Sequence, residues 1–236
     1  MDVTLLIPAA GSGSRLGRDV PKALVDVGGS ALLVRTLERL AAATSFLETI
    51  VMAPPEAIER FREALGGLPQ SLGTLRVLAG GRTRQESVAI GVAAVDPRCE
   101  IVCVHDAARP LVDPLTVAQV LEAAHAAGAA TAASRPCDSV RQETGGGGTV
   151  AIDRATLWLV ETPQAFSREL LASSHARATR SGELYTDDAS LVEAAGTPVR
   201  IVSSLGRNLK VTIETDLVLA SELLRRTDPR AGAGRR

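Results

Sequence analysis

Residues suited to handling phosphate stand in five separate stretches of this 236-residue chain. The first is Pro8-Ala9-Ala10-Gly11-Ser12-Gly13-Ser14-Arg15-Leu16-Gly17, followed by Pro21-Lys22. Small residues after an apolar run let backbone N–H groups approach and cradle an anion. Arg15 adds a planar fork of donors and Lys22 a mobile point charge. The second, Val104-His105-Asp106-Ala107-Ala108-Arg109-Pro110, ends an apolar run in a carboxylate. A carboxylate opposite a phosphate cradle suits Mg²⁺, which is usually held by one or two carboxylates plus substrate phosphates. Arg109 suits a second anionic ligand, and His105 reads as structural. The third, Gly80-Gly81-Arg82-Thr83-Arg84-Gln85-Glu86-Ser87, leads into a helix whose N-terminus attracts anions. Ser87 there is a small polar group able to read a base edge, while Thr83 and Glu86 equally fit a plain capping box. The fourth, Tyr185-Thr186-Asp187-Asp188-Ala189-Ser190, offers Thr186 or Asp187 as a helix cap. The fifth, Asn208-Leu209-Lys210-Val211-Thr212, offers one more lysine for a phosphate.

Positioning these residues at one rim takes strands alternating with helices. Strands are expected at 3–9, 48–53, 75–79, 100–107, 128–134 and 198–203. Helices are expected near 31–43, 55–65, 83–95, 114–127, 167–179 and 214–226, with another starting near Asp187. Continuous apolar strands between helices indicate a Rossmann-like α/β fold: a mostly parallel sheet covered by helices on both faces. Open sheets of this kind bind ligands at the carboxyl edge of their strands, where the phosphate-handling stretches fall. The rhythm breaks at about 135–158, where SVRQET and TVAIDR flank four glycines. That pattern predicts a protruding β-hairpin arm. A two-stranded hairpin is marginal alone in water, so a second subunit is expected to pack on it. The expected organisation is a single domain over 1–226 and a flexible tail over 227–236.

Composition narrows the classes. The net charge of −1 and only five aromatics argue against a nucleic-acid partner. No apolar run reaches the roughly 18 residues of a membrane span. Cys99, Cys103 and Cys137 form no paired motif and read as small buried hydrophobes of a cytoplasmic protein. The glycine loop is no Walker A sequence. Glycines at 11, 13 and 17 superficially match a dinucleotide loop. The second strand, however, offers only Glu56 beyond two prolines as the acid a dinucleotide ribose needs.

PAAGSGSRLG…PKAL, GGRTRQESV, VHDAARP, DR…LW, TPQAF, TDDAS and NLKVT occur in one order over about residues 3–225. In that order and spacing the chain resembles the 2-C-methyl-D-erythritol 4-phosphate cytidylyltransferase (IspD) family. The amino-terminal loop alone resembles the wider sugar-nucleotide transferases; VHDAARP with TPQAF and NLKVT narrows the resemblance. It implies a nucleotidyltransferase of the non-mevalonate isoprenoid pathway. CTP and methylerythritol 4-phosphate would give CDP-methylerythritol and pyrophosphate, with Mg²⁺, in a homodimer interlocked by the arm. It further implies that Arg15, Lys22 and Lys210 serve the triphosphate. Ala9, Ala10, Gly11, Gly13, Gly81 and Ser87 would hold the nucleotide. Asp106 would hold the metal and border the acceptor, with Arg109, Ser139, Arg154, Thr162 and Thr186 around the acceptor and Arg154 reaching across the dimer. Arg82 stands where relatives often carry a smaller or acidic residue, Ser139 where threonine is common, and Asp188 where glutamate is frequent. A related cytidylyltransferase acting on ribitol 5-phosphate, and a non-catalytic nucleotide-binding module, stay open as alternatives.

Overall fold

The computed structural model describes residues 1–11 and 20–227. Nine strands form in chain order: β1 (Val3–Pro8), β2 (Glu48–Ala53), β3 (Thr74–Ala79), β4 (Ile101–Val104), β5 (Ala129–Ser134), β6 (Val140–Thr144), β7 (Gly148–Ile152), β8 (Leu159–Ser167) and β9 (Arg200–Ser203). Seven α-helices accompany them: α1 (Leu32–Ala41), α2 (Ile58–Ala64), α3 (Arg84–Ala93), α4 (Pro114–Ala127), α5 (Arg168–Ser181), α6 (Asp188–Ala194) and α7 (Glu214–Thr227). The main sheet runs β3-β2-β1-β4-β8-β5-β9, with every pairing parallel except the two made by β8.

Alternation along β1 shows why both faces are covered. Leu5 and Ile7 join one cluster with Leu33 and Leu37 of α1, Phe61 of α2 and Val117 and Val120 of α4. Leu6 joins the opposite cluster with Val88 of α3, Leu171 of α5 and Leu191 of α6. Each fully buried leucine contributes about 1.5–3 kcal/mol. With three such side chains in succession, β1 is anchored from both sides, and Pro8–Ala10 leave the sheet from a fixed point. A third cluster packs Leu217, Ala220 and Leu224 of α7 on Val25, Val27, Ala108 and Val211, tying the segment after Lys22 to the segment after β4.

Local signals set the helix ends. Asp113 caps α4 by accepting from Leu115 N at 2.8 Å, Pro114 occupies the first turn, and Gly128 closes it at φ +84°. The predicted helix over 55–65 is instead a 3-10 turn at Pro55–Ala57 leading into α2.

The periodicity misses β8. Pro163 in LVETPQAFS reads against a strand, because proline cannot donate to a ladder. The ladder absorbs it through a bulge in β8 itself: Thr131 pairs with Gln164 and Ala133 with Val160, so β8 advances four residues while β5 advances two. The arm forms where the glycines predict it: β6 and β7 pair antiparallel, and Gly146 and Gly147 take φ +84° and +83° at the turn. At its base Arg135 donates to Ala155 O and Leu157 O and lies over the Trp158 ring. Cys99 and Cys103 are buried as expected, but Cys137 is exposed, because it sits where the chain leaves the sheet for the arm. Of the expected tail, residues 228–236 lie outside the described residues.

Candidate active site

The strand order turns back between β1 and β4, and a cavity of about 530 Å³ opens there above their carboxyl ends. Ligands in open α/β sheets bind at this switch point. Pro8, Ala9, Ala10, Gly11 and Lys22 line one side, and Gly81, Arg82, Thr83, Arg84 and Ser87 another. Asp106, Ala107, Ala108 and Lys210 complete it. The Gly80–Gly81 turn is tight enough to require glycine. A Cβ on Gly80 would lie 2.5 Å from Ala10 Cβ, and one on Gly81 would lie 2.4 Å from Glu86 Cβ. Ser87 Oγ holds this turn, donating to Thr83 O at 2.9 Å and accepting from Gly81 N at 3.1 Å. Thr83 caps α3, accepting from Glu86 N at 3.0 Å, while the Glu86 carboxylate accepts from Arg82 N at 2.7 Å. The cap is thus a capping box with its return bond displaced by one residue.

Asp106 follows β4 and is nearly enclosed. Its backbone N–H donates to Thr162 Oγ1 at 3.0 Å. Three cations face its carboxylate: Lys210 Nζ at 2.8 Å, Arg84 Nε at 3.4 Å and Arg109 Nε at 3.5 Å. Burial alone would raise its pKa; the charges of Arg84 and Lys210 outweigh that and hold the carboxyl well below the usual carboxylate range. Arg84 itself is anchored elsewhere, donating to Asp188 Oδ2 at 2.7 Å. Burial would lower the Arg84 pKa, but the Asp188 and Asp106 carboxylates raise it. Asp188 is buried, faces His175 Nε2 at 3.2 Å through its other oxygen, and donates its own N–H to Gln164 Oε1 at 3.0 Å.

A second cavity of about 230 Å³ adjoins the first and shares Arg84, Asp106 and Lys210 with it. Its remaining lining comes from Arg109, Val160, Glu161, Thr162, Gln164, Thr186 and Asp187. Its lining brings three cations, Arg84, Arg109 and Lys210, together with three acids, Asp106, Glu161 and Asp187. The reversed strand β8 supplies four of the lining residues, because its amino end lies at the carboxyl edge of its neighbours. Asp187, not Thr186, caps α6, accepting from Ser190 N at 2.9 Å.

The expected site residues therefore fall into three groups. Ala9, Ala10, Gly11, Lys22, Gly81 and Ser87 line the first cavity, Arg109, Thr162 and Thr186 the second, and Asp106 and Lys210 both. Gly13 and Arg15 lie outside the described residues. Ser139 and Arg154 line neither cavity: both are exposed at the base of the arm, where Arg154 donates to Cys137 O. Sequence reasoning misses Arg84, Glu161 and Gln164. One signal pointed to Arg84: a basic residue in the first turn of a helix opposes the helix dipole and calls for an anion nearby.

The donor set bears on a metal. Among the described residues no group of three or more His, Cys, Asp or Glu side chains gathers. A cation here would take one protein carboxylate, Asp106, and its other ligands from phosphates and water, an arrangement that fits Mg²⁺ and not a metal needing an all-protein cage.

Comparison with known proteins agrees with this geometry. The sequence profile described as 2-C-methyl-D-erythritol 4-phosphate cytidylyltransferase matches residues 3–226. Relatives carrying that name include one from Syntrophus aciditrophicus, 37% identical over 97% of this chain and 98% of its own. Another, from Thermus thermophilus, is 43% identical over 95% of this chain and 98% of its own. A crystal structure of the cytidylyltransferase from Thermus thermophilus superposes with a TM-score of 0.77 at 39% identity, covering 95% of this chain and 100% of that one. The 4-diphosphocytidyl-2C-methyl-D-erythritol synthase structure from Anaerococcus prevotii superposes with a TM-score of 0.85 at 26% identity, covering 95% of this chain and 96% of that one.

Proposed function

The chain belongs to the 2-C-methyl-D-erythritol 4-phosphate cytidylyltransferase family, and from that premise we propose how its two joined cavities divide the reaction. The enzyme transfers the cytidylyl group of CTP to 2-C-methyl-D-erythritol 4-phosphate and releases pyrophosphate. The larger cavity takes CTP, with the nucleoside against the Ala9–Gly11 and Gly81–Ser87 segments and the triphosphate toward Lys22. The smaller takes the acceptor, its phosphate at the cations and its hydroxyls toward Asp187. One observation carries this reading: Arg84, Asp106 and Lys210 belong to both cavities, so donor and acceptor phosphates meet beside them.

The acceptor phosphate is already an anionic nucleophile, so no general base is required. Its oxygen attacks the α-phosphorus in line, a new P–O bond forms, and the bond to the β-phosphate oxygen breaks as pyrophosphate leaves. The protein's task is to bring two anions together and stabilise the charge that concentrates between them. Lys22, Lys210 and Arg84 supply that charge, joined by Arg15 as the sequence pattern implies. Asp106 is the residue suited to hold Mg²⁺. When bound, the ion would withdraw charge from the phosphates. Of the three cations on Asp106, Lys210 is the one whose side chain remains 48% exposed, so it is free to pass from the carboxylate to a phosphate.

The arm supports a homodimer. Its strands are exposed, and Val150, Leu159 and Val160 leave apolar surface along it and the start of β8. In that dimer Arg154 and Ser139 serve the acceptor cavity of the other subunit. Three unpaired thiols support a reducing, cytoplasmic setting, and no helix among the described residues is long and apolar enough to cross a membrane. A pyrophosphate-release assay tests the function: release requires CTP and methylerythritol 4-phosphate together and stops with EDTA. Release without the acceptor, or none with it, overturns the reading.

A further inference from the structure

Glu161 lines the acceptor cavity but takes no part in the transfer just described, and its carboxylate gathers three side-chain donors. Ser134 Oγ donates to Oε1 at 2.7 Å; Ser204 Oγ and Asn208 Nδ2 donate to Oε2 at 2.7 and 3.0 Å. These donors come from the end of β5, from the segment after β9 and from the loop before α7. A carboxylate accepts from all three at once, and an alanine in its place would leave all three donors unmet.

Resting on the function given above, we propose that Glu161 is a positioning residue that, through Asn208, sets Arg109 and Lys210 at the acceptor cavity. Asn208 is 6% exposed, and its Nδ2 also donates to Thr162 O at 2.7 Å. Its Oδ1 has no hydrogen-bond partner among the described residues, so the two bonds from Nδ2 fix the side chain. The backbone carbonyl of Asn208 accepts from Arg109 Nη1 at 2.7 Å, and two residues on, Lys210 meets Asp106 at 2.8 Å. The chain from Ser204 to Thr212 is neither helix nor strand, so side-chain ties decide where it sits. Glu161 therefore reaches two substrate-facing cations through one buried amide.

Two measurements on Glu161→Ala test this. Hydrogen exchange of the 205–210 amides should quicken roughly tenfold, the loss of one hydrogen bond to a charged acceptor. The KM for methylerythritol 4-phosphate should rise by about the same factor and more than the KM for CTP, since of the two cations only Lys210 also lines the larger cavity, where the β1 loop and the Gly81 turn still hold the nucleotide. Ser134→Ala removes a donor without touching the loop and should change neither KM. Glu161→Ala combined with Asn208→Ala should be no worse than the more impaired single variant, since both act on one path. Unaltered exchange at 205–210, two KM values rising in step, or additive losses would overturn the proposal. A wild-type enzyme that releases no pyrophosphate would instead remove the function, and the exchange result would still decide whether Glu161 holds the loop.

Discussion

Arg84 is held more closely by Asp188 than by Asp106: the bond to Asp188 is 2.7 Å, that to Asp106 3.4 Å. The guanidinium therefore stays in place if Asp106 turns toward another cation. Removing one partner of a buried pair typically costs about 3–5 kcal/mol. Arg84 remains 26% exposed, so Asp188→Asn should cost roughly 2–3 kcal/mol after allowing for solvent. Its Arg84 would then be drawn onto Asp106, raising the KM for CTP. Asp188→Glu, which keeps a carboxylate for Arg84, should retain both. Urea unfolding and KM measurements check this; an unchanged KM in Asp188→Asn would show that Arg84 needs no anchor.

Lys22 lines the larger cavity together with Asp106. Losing one preorganised donor at a developing charge typically costs about 10²–10³ in rate. Lys22→Ala should keep the circular dichroism and melting temperature of the wild type and lose turnover by that factor. Near-normal turnover would take Lys22 out of the mechanism.

Arg154 lies at the arm base and outside both cavities of its own chain. Arg154→Ala should raise the KM for the acceptor and spare that for CTP. Mixing Arg154→Ala with Lys22→Ala subunits should recover part of the activity, since some sites then pair an intact arm with an intact cavity. Absence of any recovery would rule out a site completed by the partner.

His105 predicts a pH dependence of stability. It is fully buried, its Nε2 lies 3.2 Å from Arg109 O, and its Nδ1 has no partner among the described residues. Burial pushes its pKa down to about 4, against the opposing pull of the Arg109 carbonyl and Asp106. Between that value and the unfolded value of about 6.5, the unfolded chain takes up a proton that the folded chain refuses. Stability is therefore lost as pH falls through this window, by roughly 3 kcal/mol in all. The urea midpoint should drop between pH 7 and pH 5, and His105→Gln, which keeps a donor for Arg109 O, should flatten the drop. Parallel pH curves for the two proteins would contradict this.

Much of the framework is legible in the sequence because its signals are local. β1, β2 and β4 read as unbroken apolar runs since both faces are covered. α4 announces itself from Asp113-Pro114 to Gly128. The nucleotide cavity is legible for the same reason, each contributing stretch being a strand followed by small or charged residues. What escapes is non-local. Glu161 looks like any surface acid until donors 27, 43 and 47 residues away converge on it. Arg84 gains its meaning from Asp188, 104 residues on. β8 is hidden by Pro163, which sits in a bulge of the strand that shows only once β5 is paired beside it.

The reversal of β8 separates two kinds of variation. Thr162 is held at the rim by the bond from Asp106 N and by the ladder that begins two residues on at Gln164 and runs to Ser167, whereas everything between Ser134 and Trp158 lies upstream of that ladder. Insertions or deletions in the hairpin thus alter how far it extends without moving the threonine beneath Asp106. Its length is open to drift while the rim stays put, and chimeras that exchange hairpins between relatives should inherit the pairing habits of the donor and the turnover of the host.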